Sequence, residues 1–116
     1  MPGLGDGEAA PQEPDELKNV RVIIRHIQSL TQETYVDLGA AIGMRGLLVG
    51  RRQNGSTDWS VNELGRIARH WGFELSCLFT TVKDAVAAMD EERLTELRAA
   101  KGLGPLDLKP STPVAA

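Results

Sequence analysis

Three arginines, Arg45, Arg51 and Arg52, fall within eight consecutive residues of the segment LGAAIGMRGLLVGRRQNG at positions 38–55. A guanidinium stays charged at any physiological pH and presents its donors as a planar fork, which matches two oxygens of a phosphate or the edge of a guanine. On its own such a cluster is ordinary solvated surface. The spacing around it argues for more. Leu38, Ile42, Met44, Leu48 and Val49 are placed as the facing sides of a short helix, a turn and a second helix, and Gly43 stands where the chain must reverse. Glycine takes left-handed backbone angles at least cost. The second helix then turns Arg45, Leu47, Arg51 and Arg52 outward, held away from the body of the domain.

Other reactive side chains are sparse. His26 and His70 lie on different predicted helices with no acidic or thiol partner at metal-ligand spacing, and the single Cys77 can form no internal disulfide. Satisfied or solvent-edge histidines and a small core cysteine are the expectation. No nucleophile-base-acid set, phosphate loop or catalytic carboxylate pair stands out, so neither an enzyme nor a metal or cofactor site is expected.

At 116 residues with 41% hydrophobic content, the chain suits one compact core with two tails, its six prolines and much of its glycine lying toward the ends. The net charge of -3 is unevenly divided. Residues 1–15 carry four acids and no base, residues 16–79 carry eight Lys or Arg against six Asp or Glu, and residues 80–116 carry five against six. The basic excess therefore surrounds the arginine cluster, and contact with phosphates depends on such local placement more than on the total. No run of about 18 apolar residues exists to span a bilayer, and residues 1–15 lack the basic start and apolar centre of a signal peptide. A cytoplasmic protein without membrane contact is expected.

The elements that would position the cluster can be read in order. Residues 1–14 hold Gly, Pro and acids, an acidic tail expected to be disordered. From Asp15, a potential helix cap, Leu17, Val20, Ile23, Ile24, Ile27 and Leu30 recur at helical steps. Thr31 or Thr34 caps a short second helix through Tyr35, Leu38 and Ile42. The third starts near Arg45 and ends near Asn54 and Gly55, both tolerant of left-handed angles. After a polar loop, in which Trp59 is expected as a lid on the core, Ser60 and Glu63 form a capping box for Val61, Leu64, Ile67, Ala68 and Trp71. Phe73, Leu75, Leu78 and Phe79 suggest a short fifth helix sealing the underside. No alternating strand pattern appears, so the class is all-α. Thr81 and Asp84 then cap one helix over 81–101 through Val82, Val86, Met89, Leu94 and Leu97, with the charges at 90–93 on its solvated side. Packing back on the domain and dimerisation suit that helix equally well. Residues 102–116 read as a flexible tail.

With these elements in place, residues 17–79 resemble the lambda repressor and Cro type of helix-turn-helix domain, a family of five-helix bundles that bind operator DNA. The resemblance rests on Leu38, Gly39, Gly43, Met44, Asn54 and Gly55 at the family spacing, and on VNELGRIARHWGFELSCLF, residues 61–79, which resembles the family's fourth and fifth helices. It implies a helix-turn-helix domain over 15–80, a five-helix lambda-repressor-like bundle with one extra C-terminal helix. The implied function is a sequence-specific transcriptional regulator, a repressor of the phage-immunity kind, binding double-stranded operator DNA as a homodimer through a recognition helix near 45–53. Gly46 and Leu47 take the first outward positions of that helix, with Arg51 one turn further along. On this resemblance Arg51 reads a guanine and Leu47 packs on a thymine methyl. Tyr35, Arg45, Arg52, Asn54, Ser56 and Thr57 become contacts to the DNA backbone. The chain departs from the family pattern at Arg45, Gly39 and Arg52, and at Gly50, which costs a helix interior roughly 1 kcal/mol. A recognition helix looser than its relatives' is therefore expected.

The ending Val114, Ala115 and Ala116 resembles the Leu-Ala-Ala tag that bacterial proteases recognise, an ending that some temperate-phage repressors of this fold carry. An Ala-rich end from a GC-rich genome looks the same, so a degradation signal read by a host protease and a chance ending both stand. Two other functions also stand beside the repressor. An antitoxin of the same fold would bury Val86, Met89, Leu94 and Leu97 on its toxin, and a protein-interaction domain without DNA binding would tolerate a glycine-rich third helix.

Overall fold

The first helix, α1 (Asp15–Thr31), follows directly from its apolar repeat. In the computed structural model, which describes residues 15–106, Val20, Ile23, Ile24 and Ile27 of this helix are wholly buried and Leu30 packs against them. The acidic segment 1–14 and the ending Val114, Ala115 and Ala116 lie outside the described residues. Thr34 opens α2 (Tyr35–Ile42) with a full capping box: its hydroxyl accepts from the Asp37 amide, and the Asp37 carboxylate accepts from the Thr34 amide. Gly43 closes α2 at φ 78°, an angle that a β-carbon penalises. Arg45 then enters α3 (Gly46–Gln53) with no side-chain cap. The end of α3 falls where expected, at Asn54 and Gly55. Asn54 stays at φ -91°, and Gly55 alone takes the left-handed angle, at φ 87°.

Ser60 and Glu63 form the second capping box, at the start of α4 (Val61–Trp71). Leu64, Ile67, Ala68 and Trp71 are buried as their spacing requires, but Val61 is 67% exposed, so the apolar face begins one turn later than the pattern suggests. The expected fifth helix is a 3-10 helix, Leu75–Phe79, the tighter form common in short connecting pieces. Leu78 is buried there, whereas Phe79 is 44% exposed and lies outside the core cluster.

The single helix expected over 81–101 is two helices, α5 (Val82–Ala88) and α6 (Glu91–Ala100). Met89 is extended between them, and Asp90 caps α6 by accepting from the Glu92 amide. An acid read as solvated surface is thus a helix start. Both helices fold back on α1, where Ala85, Met89 and Leu94 join the core. Arg98 donates to the carbonyls of Leu30 and Gly104, and Lys101 pairs with Asp37 at the head of α2. Leu106 packs against the core as well, so residues 102–106 of the expected tail belong to the folded body. The described residues are all helical or irregular, with no strand, and none of their helices is long and apolar enough to cross a membrane.

The contact between α2 and α3 is close enough to require glycine. A β-carbon on Gly39 would lie 2.4 Å from the Met44 carbonyl oxygen, and one on Gly46 would lie 2.8 Å from Val36 Cγ2 and 3.1 Å from its backbone. These residues mark two backbones in contact rather than slack in the helix.

Candidate nucleic-acid interface

The inner side of α3 is anchored before its outer side can be used. Val49 is wholly buried, and Gln53, at 2% exposure, donates from Nε2 to the Arg21 carbonyl and accepts from Trp59 Nε1. Trp59 is the expected lid. On the opposite side Leu47 is 67% exposed, and Arg45 and Arg51 are exposed, their guanidinium groups making no ion pair or hydrogen bond among the described residues. The Tyr35 ring stands against the middle of α3, 3.3 Å from where a β-carbon on Gly50 would be, and is 41% exposed. Its phenol is therefore presented beside the same surface as Arg51.

Three of the expected contacts, Gly46, Arg52 and Thr57, are placed otherwise. Gly46 does not face outward: its missing side chain points at Val36, so it can only let α2 approach. Arg52 is not free either. Its guanidinium forms a two-pronged pair with Glu63, Nε to Oε1 and Nη2 to Oε2 both at 3.0 Å, and Nη1 donates to Thr57 Oγ1 at 2.7 Å. The pair is self-reinforcing. Hydrogen bonding to Glu63 raises the Arg52 pKa, and hydrogen bonding from Arg52, against the opposing effect of burial, lowers that of Glu63. Thr57 is spent on Arg52 in the same stroke. Asn54 Oδ1 accepts from the Ser56 amide at 2.9 Å, a side-chain turn that shapes the loop while leaving both residues exposed.

Two positioning groups escaped the sequence reading. Arg21 is 4% exposed; its Nε donates to the Arg52 carbonyl at 2.6 Å, and its Nη2 reaches the Thr57 carbonyl and Asp58. It ties α1 to the end of α3 and the loop that follows. A signal existed, since Arg21 lies three residues before Ile24 on the buried face, but a charge hid it. Glu33 is the second group. Its Oε1 accepts from Thr31 Oγ1 and Trp71 Nε1, each at 2.8 Å, and its Oε2 from His70 Nε2 at 2.6 Å. Burial pushes this carboxyl up, yet the donors from His70, Trp71 and Thr31 outweigh it and hold the pKa below its ordinary value. His70 is thus a satisfied histidine, locking the loop before α2 onto the end of α4. His26 is exposed and Cys77 half-buried. Among the described residues no group of three or more His, Cys, Asp or Glu could hold a metal ion.

The resulting surface is α3 with Arg45, Leu47 and Arg51 outermost, Tyr35 beside it, and the Asn54 to Ser56 loop at its end. Two unpaired guanidinium groups with an exposed leucine between them suit a polyanion that also carries flat apolar edges. Comparison with family models, with curated proteins and with solved structures finds no match to this chain.

Proposed function

We propose that this chain is a sequence-specific DNA-binding regulator, a repressor that seats α3 in the major groove of an operator and binds as a homodimer. The observation that carries this reading is the contrast across α3, with Val49 and Gln53 buried and anchored on one side and unpaired Arg45 and Arg51 flanking exposed Leu47 on the other. A helix held rigidly with free guanidinium groups outward is the device by which a duplex is read. Arg51 is the base-reading residue, Leu47 offers a thymine contact, and Tyr35, Arg45, Asn54 and Ser56 hold the backbone. One helix covers only a few base pairs, so two copies on half-sites about one helical turn apart are required. The antitoxin alternative draws less support, because Met89 and Leu94, which it would offer a toxin, are buried against the chain's own core.

Selection of bound duplexes from a random pool tests the proposal. The expected result is an enriched inverted repeat with affinity that falls steeply with salt, since phosphate neutralisation releases counterions. Failure to enrich any motif would overturn sequence-specific recognition. Arg51→Ala is expected to relax one position of each half-site, a loss of about 1–3 kcal/mol in discrimination, while an unchanged motif would remove Arg51 alone from the reading role.

A further inference from the structure

Lys18, Val22, Arg25 and Ser29 follow one another at steps of four, three and four residues along α1, which places them on one side of the helix, and all four are exposed. Two surface hollows meet at Arg25. One, of about 310 Å³, is lined by Lys18, Arg21, Val22, Arg25, Gln53 and Asn54, so it joins α1 to the end of α3. The other, of about 440 Å³, runs from Arg25 and Ser29 to Thr34 and Tyr35 at the head of α2. The side chains of Lys18 and Arg25 make no ion pair or hydrogen bond among the described residues. The one carboxylate that lines either hollow, Glu33, is already engaged by His70 and Trp71.

We propose that this face of α1 is a second anchor for the duplex: Lys18 and Arg25 grip the sugar-phosphate backbone of the strand that passes the end of α3, between Asn54 and Tyr35. The inference rests on the DNA-binding reading and extends its footprint from α3 to α1. At about 1.5 Å per residue, Lys18 and Arg25 are roughly 10 Å apart along the helix, the axial span of about three phosphates on one strand at about 3.4 Å each. The anchor is stiff, because the opposite side of the same helix is the wholly buried row Val20, Ile24 and Ile27. Contacts of this kind carry no base information; they fix the angle at which α3 enters the groove.

Duplex affinity is measured as a function of salt for the wild type, for the Lys18→Gln/Arg25→Gln double variant and for Lys83→Gln, an exposed cation on α5 outside both hollows. Each lost phosphate contact lowers the salt slope by about 0.9. The double variant should therefore lose about 1.8 per protomer, about 3.6 for a homodimer on its full operator, with an unchanged melting temperature and the same enriched motif, and Lys83→Gln should lose nothing. A double variant with the wild-type slope, or an equal loss in Lys83→Gln, would overturn the α1 anchor while leaving DNA binding intact. Absence of salt-dependent binding in the wild type would instead overturn the reading beneath it.

Discussion

Arg51 and Arg52 are adjacent and chemically identical, yet α3 sends one to solvent and the other into a pair with Glu63. Both were expected to face outward, because Glu63 lies eleven positions from Arg52 and its own capping box with Ser60 already accounted for it. Arg52→Ala is expected to cost about 1 kcal/mol of stability in urea unfolding, since it leaves the half-buried Glu63 carboxylate with only the Ser60 amide as a donor among the described residues, whereas Arg51→Ala should leave stability unchanged. The carboxylates also set the acid response. Glu33 and Glu63 have folded pKa values below their ordinary 4.5, and Lys101, with the Thr34 cap, draws Asp37 down to about 2. Groups so depressed add stability that is complete above the unfolded pKa and lost as pH falls through the folded one. Thermal melts should therefore be flat near neutrality and decline below about pH 4.5, and Glu33→Gln should flatten part of that decline. A Glu33→Gln profile parallel to the wild type would show that the His70, Trp71 and Thr31 donors do not act on this carboxyl.

At the scale of elements, what was legible was local. The capping box at Ser60, the reversal at Gly43 and the buried row of α1 each depend on residues within one or two turns, and each stands where the pattern placed it, while the cap of α2, open between Thr31 and Thr34, falls to Thr34. What was not legible depended on tertiary contact. The break at Met89 and Asp90 needed a neighbour for Met89 to sink into, and the glycines of α3 read as weakness because α2 was out of view. Gly39→Ala and Gly46→Ala should each destabilise by about 1–3 kcal/mol through overpacking. Gly50→Ala should behave differently. The exposed Tyr35 ring can yield by a few tenths of an ångström, so the gain in helix propensity, up to about 1 kcal/mol, should make that variant as stable as the wild type or more so. Its DNA affinity should fall, because Tyr35 has been moved. Denaturant titration beside duplex binding separates the two effects; loss of both together would show that Tyr35 cannot move.

For the whole molecule, α5 and α6 decide whether the body is finished at Phe79. They supply Ala85, Met89 and Leu94 to the core and clasp the corner between α1 and α2 through Arg98 and Lys101. Leu94→Ala is expected to cost about 2–5 kcal/mol in urea unfolding at any protein concentration. An arm serving only dimerisation would instead leave the monomer's stability intact and shift association alone. The docking of α6 on α1 also sets an order of events. The apolar side of α1 emerges first during synthesis, and its last partner follows about 60 residues later, roughly 3–12 seconds at about 5–20 residues per second. A nascent chain must keep four buried isoleucines and valines from wrong company for that whole interval, which makes α1 the segment on which a chaperone would first act.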